Sequence, residues 1–174
     1  LSDEEDEAIR AAIKNEIDTD WAKVQEEPAI VASLEEELGD VYQPYEFEEF
    51  TPSSETENIR VIDAISNGLR QSMERHENLV IMGQDIAEYG GAFKITDGFV
   101  AQFGKERVRN TPICESAVVS AANGLSINGF KAVVEMQFAD FVSTGFNPIV
   151  NLLAKQHYRW QEKSDVVVRM PCGG

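Results

Sequence analysis

One carboxylate in this sequence stands where a carboxylate is costly. In the stretch TPICESAVVSAANGLSING, residues 111–129, Glu115 is set among Pro112, Ile113, Cys114, Ala117, Val118 and Val119, where a loop turns into a helix of small residues. Partial burial beside apolar groups disfavours the charged form of an acid and suits it to proton exchange near neutral pH. The position has a plainer reading too, because an acid in the first turn of a helix is favoured by the macrodipole. The local pattern leaves both readings open.

The elements around Glu115 narrow the choice. From Asn58 the chain alternates helices with short apolar runs, the pattern of a parallel sheet with crossover helices. Ile59, Ile62, Ile65, Leu69 and Met73 mark one face of a helix, and LVIM at 79–82 is a buried strand ending at Gly83. Residues 84–103 contain Gly90, Gly91 and Gly98, which predicts a loop and then a helix closed by Gly104. Residues 107–109 form a short strand, 115–127 a helix, KAVVEM at 131–136 a strand, about 144–160 one helix, and SDVVVRM at 164–170 the last strand. Open α/β sheets bind ligands at the carboxyl ends of their strands. Those ends deliver Gly83, Glu115, residues 137–141 and residues 171–174. Gly90 and Gly91 fit no phosphate-loop pattern and read as a turn or a loop lining a substrate channel.

The rest of the chain is of a different kind. Residues 1–57 carry 19 acidic side chains against three basic ones, whereas residues 58–174 carry 12 of each, so the whole surplus of 16 negative charges lies in an N-terminal arm. Such an arm excludes a nucleic-acid partner, and nothing reads as a membrane span or membrane-surface helix. Ser2 and Glu5 have capping-box spacing ahead of an apolar stripe at Ile9, Ile13, Ile17, Trp21 and Val24. A second helix over residues 30–38 is expected to stop at Gly39. Residues 40–57 read as an extended linker whose Tyr42, Tyr45, Phe47 and Phe50 dock on a neighbouring surface. Cys114 and Cys172 read as reduced thiols of a cytoplasmic protein. Leu1 and the terminal Gly173-Gly174 read as cuts within a longer polypeptide.

Four segments in order, MGQDIAEYGGAFKITDGF, QFGKERVRNTPICESAVV, AVVEMQFADF and VVVRMPCGG, resemble the beta chain of the thiamine-diphosphate-dependent dehydrogenase component of 2-oxo acid dehydrogenase complexes. EMQFADF leans towards the branched-chain member. Residues 1–42, ending in LGDVY, are similar to the C-terminal end of the alpha chain of the same enzymes. The resemblance implies an alpha–beta fusion: an alpha tail over 1–42, a linker over 43–57, and a truncated beta pyrimidine-binding domain over 58–174. The fold it implies is α/β, a three-layer, mostly parallel sheet of the transketolase-like, thiamine-diphosphate-binding kind, preceded by the helical acidic arm.

The function implied is oxidative decarboxylation of branched-chain 2-oxo acids (2-oxoisovalerate), with acyl transfer to a lipoyl group. Pyruvate dehydrogenase is the alternative, and a non-catalytic interaction module the alternative of another class. Carried over residue by residue, Glu115 hydrogen-bonds a ring nitrogen of the cofactor's aminopyrimidine, favouring the tautomer whose nitrogen takes the thiazolium proton. Phe141 packs on the pyrimidine ring, and Gln137 lies one strand-face step before it. Backbone carbonyls of Ser164, Val166 and Val167 are placed near a structural potassium ion. Magnesium and the diphosphate fall to the alpha part, and a second catalytic histidine falls after Gly174, so the piece alone is expected to be inactive. Partners implied are the alpha part, the lipoyl acyltransferase component and further copies of the parent.

Overall fold

The computed structural model describes residues 1–172; the terminal glycines at 173 and 174, expected beside the last strand end, lie outside the described residues. The chain divides into two units, Leu1–Glu37 and Leu38–Gly174.

In the first unit, the Ser2 hydroxyl accepts from the Glu5 amide at 3.2 Å and the Ser2 amide donates to Glu5 Oε2 at 2.7 Å. This reciprocal cap starts α1, Asp3–Glu26, with four acids in its first turn facing the positive end of the helix dipole. Exposed pairs Arg10–Asp6, Lys14–Asp18 and Lys23–Asp20 lie along it, each contributing about 0.2–0.5 kcal/mol. No residue of α1 is buried, and the stripe from Ile9 to Val24 stays about half exposed.

The second helix, α2, spans Leu34–Val41 rather than residues 30–38. Ser33 sets its start, its hydroxyl accepting from the Glu36 amide at 3.3 Å and its carbonyl from the Glu37 amide at 3.0 Å. Gly39, expected just past the helix, therefore lies inside it, at a cost of up to about 1 kcal/mol relative to alanine. The linker aromatics do not dock: Tyr42, Tyr45, Phe47 and Phe50 are 79–84% exposed. They sit among Glu46, Glu48 and Glu49 on a segment without regular structure, so burying them would also desolvate carboxylates.

From Val61 the elements run α3 Val61–Arg75, β1 Leu79–Gly83, α4 Phe99–Phe103, β2 Val108–Asn110, α5 Glu115–Ile127, β3 Lys131–Glu135, α6 Val142–Asn151, α7 Gln156–Trp160 and β4 Val166–Arg169. Among the described residues four strands form one sheet in the order β2-β1-β3-β4, all parallel. Alternate residues feed two cores. Leu79, Ile81 and Val133 pack with Met73 of α3 and Phe99 of α4. Met82, Ala132 and Val134 pack with Val118, Val119 and Ala122 of α5 and with Val142 and Ile149 of α6. Helices on both faces of the sheet make the expected three layers. Among the described residues no helix is long and apolar enough to cross a membrane.

Arg107 clamps one end of this sandwich. Its guanidinium donates to the Leu79 carbonyl at 3.0 Å and to the Met73 and His76 carbonyls at 2.7 Å, tying the end of α3 to the start of β1. At the other end of α3, Arg60 donates twice to Asp63, at 2.7 and 2.8 Å, and this hydrogen bond holds the Asp63 carboxyl below its ordinary range. A carboxyl depressed in the folded state contributes stability above its unfolded pKa and loses it as pH falls through the folded one. Carbon-detected NMR titration should find Asp63 titrating below a model aspartate, and Arg60→Ala should bring it back; both groups are exposed, so the melting temperature should hardly move.

The sequence predicts one helix over 144–160, and the structure breaks it into α6, a 3-10 turn at Leu153–Lys155, and α7. The break comes at Leu152, where ψ is −72°, after α6 has passed through Pro148, which has no N–H to give to the Thr144 carbonyl one turn back. That carbonyl accepts instead from the Ser116 hydroxyl, so the proline's missing bond joins α6 to the first turn of α5, next to Glu115.

Candidate functional site

Three strand ends and two helix starts converge on one edge of the sheet. β1 ends at Gly83, whose carbonyl accepts from the Thr111 amide at 2.9 Å, holding the loop after β2 against the loop after β1. A side chain at Gly83 would start 2.7 Å from the Glu135 carbonyl oxygen, so only glycine lets β1 and β3 close up there. The loop then delivers Glu115 as the first residue of α5.

Glu115 is half-buried, and Gln84 Nε2 approaches its Oε1 at a long 3.4 Å. The apolar surround expected from the sequence is only partly there. Val118, Val119 and Met136 are buried, but Pro112 and Ala117 are exposed and Ile113 is 82% exposed, because the 110–114 loop crosses the open end of the sheet beside an edge strand. Nearby, the buried Thr111 hydroxyl has no hydrogen-bond partner.

Gly145 lets α6 lie close to this carboxylate: a side chain there would begin 2.7 Å from Met136 Cε and 3.6 Å from the Glu115 Cβ. Phe141 precedes α6 by one residue, and its carbonyl accepts from the Thr144 hydroxyl at 2.7 Å. Glu115 and Phe141 thus sit at the starts of two helices stitched together through Thr144. Phe141 meets Phe138 edge-on, with centroids 5.6 Å apart. Gln137 lines an open cleft of about 270 Å³ with Tyr89, Gly91, Ala92, Phe93 and Phe138.

Ser164, Val166 and Val167 lie at the opposite, amino end of β4. The Asp165 and Arg169 carbonyls accept from β3 amides, and carbonyls two apart face the same way, so the Val167 carbonyl is engaged in the ladder while that of Val166 faces the free edge. The Ser164 hydroxyl donates to Asn123 Oδ1 at 3.2 Å. Among the described residues no group of three or more His, Cys, Asp or Glu could hold a metal ion.

Residues that the sequence reading did not single out also belong to this edge. Gln84 is the side-chain neighbour of Glu115. Glu135 is 4% exposed at the end of β3, ion-paired with Arg169 at the end of β4. The signal was present as opposite charges closing two apolar strand runs, KAVVE and VVVR.

Fold and site define a ligand-binding α/β domain whose functional groups gather at the carboxyl ends of a parallel sheet. A family model described as transketolase, pyrimidine binding domain matches residues 57–174, and the chain belongs to that family. It is 41% identical over 115 residues to the 2-oxoisovalerate dehydrogenase subunit beta of Bacillus subtilis, covering 65% of this chain and 35% of that protein. It is 37% identical over 125 residues to the pyruvate dehydrogenase E1 component subunit beta of Leifsonia xyli, covering 71% and 37%. Against the 3-methyl-2-oxobutanoate dehydrogenase subunit beta of Mycobacterium tuberculosis it is 36% identical over 121 residues, covering 68% and 35%. The chain spans about a third of the length of these curated relatives.

Proposed function

We propose that this chain supplies the pyrimidine-binding part of a thiamine-diphosphate-dependent 2-oxo acid dehydrogenase that decarboxylates branched-chain 2-oxo acids and passes the acyl group to a lipoyl carrier. The observation that carries the reading is Glu115: a half-buried carboxylate at the first position of α5, with one long side-chain contact, beneath the glycine of α6, on a helix joined through Thr144 to the one that Phe141 precedes. That donor set fits the cofactor. A carboxylate with spare acceptor capacity and an unpartnered buried hydroxyl at Thr111 suit an amino-substituted nitrogen ring, and aromatic faces at Phe138 and Phe141 suit its plane.

When bound, thiamine diphosphate supplies the carbanion chemistry of decarboxylation. Glu115 then orients the ring through one of its nitrogens and holds a proton there. The Gln84 amide steadies its Oε1. Buried Met136 keeps water from one side of that hydrogen bond, which strengthens it.

Magnesium, the diphosphate and a second catalytic histidine are assigned to parts of the parent outside this chain. If a potassium ion binds near β4, the Val166 carbonyl is the better donor and Val167 the poorer. The partners proposed are an alpha part, here continuous with residues 1–42, the lipoyl acyltransferase and further copies of the parent, in the cytoplasm. Pyruvate is the second reading, supported by pyruvate dehydrogenase relatives at 34–38% identity.

The test is reduction of an artificial electron acceptor by the full-length parent, with thiamine diphosphate and magnesium, on 3-methyl-2-oxobutanoate and pyruvate side by side. The branched acid should give the higher kcat/KM. The reverse order keeps the mechanism and changes the substrate. No turnover of either acid overturns the reading in favour of an interaction module.

A further inference from the structure

The most heavily tied carboxylate in the domain is not Glu115. Glu135 is buried at the carboxyl end of β3, where its Oε2 pairs with Arg169 of β4 and its Oε1 accepts the backbone N–H of Ala92 at 3.0 Å. Ala92 belongs to a loop in unusual conformations: Gly90 and Gly91 have φ of +88° and +71°, and Phe93 and Lys94 have φ of +59° and +60°. Left-handed non-glycine residues persist only where their surroundings over-determine them. Here the ties are few and identifiable. The Gly91 amide donates to the Asp85 carbonyl at 2.9 Å, the Thr96 amide to Gly90 at 3.0 Å, and the buried Thr96 hydroxyl to Ile86 at 2.6 Å. The Lys94 ammonium also donates to the Tyr89 carbonyl and lies over the Tyr89 ring, and from the strand ends Asn110 Oδ1 accepts from the Ala87 amide at 2.8 Å while Glu135 Oε1 reaches further along, to Ala92. A side chain at Gly91 would begin 3.0 Å from Thr96 Oγ1 and 3.1 Å from Glu135 Oε1, so the loop is fitted around this carboxylate. Its Tyr89 and Phe93 form one wall of the cleft whose other wall is Gln137 and Phe138.

We propose that Glu135 is a positioning residue: through the Ala92 amide it sets the 89–94 loop as the wall of the cleft by which the 2-oxo acid reaches the strand ends, while Arg169 neutralises its buried charge. The assignment of the cleft to substrate rests on the function proposed above; the positioning of the loop does not.

Two double variants separate the two contacts. Glu135→Met with Arg169→Met removes both charges together and leaves a volume-matched apolar pair, a change that buried ion pairs often tolerate. Glu135→Gln with Arg169→Met also removes the ion pair but keeps a carbonyl oxygen for the Ala92 amide.

Native-state hydrogen exchange on this chain should show amides 91–96 exchanging about tenfold faster in the Met/Met variant, with strand amides such as Ile81 unchanged, and wild-type protection restored in the Gln/Met variant. In the full-length parent, Met/Met should raise KM for 3-methyl-2-oxobutanoate about tenfold with kcat within about twofold, and Gln/Met should restore it. Identical loop exchange in the two variants overturns the proposal. So does loss of Ile81 protection together with that of the loop, which makes the pair a clamp on the whole sheet, and so does an unchanged KM in Met/Met. If the parent turns over no 2-oxo acid, the function proposed above fails, while the exchange comparison still decides what Glu135 does to the loop.

Discussion

Glu115→Gln in the full-length parent lowers 2-oxo acid-dependent acceptor reduction by about 10²–10⁴-fold, the range over which a positioned proton-transfer group accelerates a reaction. The substitution is nearly isosteric. The amide side chain still begins α5, still fits beneath Gly145, and still meets Gln84 across the gap where Nε2 now lies 3.4 Å from the carboxylate. What it loses is an oxygen that can hold or release a proton at the ring nitrogen. The loss therefore falls on kcat, with the fold unchanged by circular dichroism. Gln84→Ala, which removes a steadying contact and leaves the carboxylate, lowers the rate by a far smaller factor. An interaction module is indifferent to both changes. A Glu115→Gln variant retaining more than about a tenth of wild-type rate removes Glu115 from the chemistry and returns it to the plainer role of a helix-terminal acid.

The sequence made the sheet legible because its signals are local. Apolar runs such as LVIM and KAVVE announce strands buried on both faces, and Gly104 marks the end of α4, where the backbone takes φ of +83°. Glu115 was visible for the same reason, as one charge among apolar neighbours at a loop-to-helix junction. What stayed hidden depends on partners distant in sequence. Glu135 and Arg169 read singly as charges at strand ends, and only the register pairing these two residues turns them into one buried unit. Pro148 announced a freed Thr144 carbonyl, but the use made of it by Ser116 required α5 to be in place. The linker aromatics misled because aromatic content signals burial on average, and here no apolar partner offsets the desolvation of the acids between them. The α2 boundary is set by Ser33, whose hydroxyl and carbonyl take up the first amides of the helix, whereas Gly39 alone had marked an end.

Phe99 is where a single truncation should cost the fold most. It is fully buried as the first residue of α4, packed edge-on against Phe103 with centroids 5.7 Å apart, and the Arg70 guanidinium lies 5.2 Å from its ring. Arg70 Nε is buried without a hydrogen-bond partner, so the ring face is part of what compensates this half-buried guanidinium. Phe99→Ala opens a cavity in the core shared by α3, α4 and β1 and strips that compensation, at a cost of about 3–5 kcal/mol. Against a total of about 5–15 kcal/mol for a typical domain, this removes a large share of the stability. The Phe99 amide donates to the Thr96 carbonyl at 3.1 Å, a main-chain bond that the alanine variant keeps. Urea titration read by hydrogen exchange at the β1 amides avoids the separate signal of α1, and it should show the midpoint falling sharply for Phe99→Ala and much less for Phe99→Leu, which refills most of the volume. Loop amides 91–96 should lose protection together with β1 in the alanine variant, because Ile86 and Ala87, which lead into the loop, share the Phe99 core. If the loop loosens while β1 keeps its protection, α4 is an appendage of the loop rather than part of the core that carries the site.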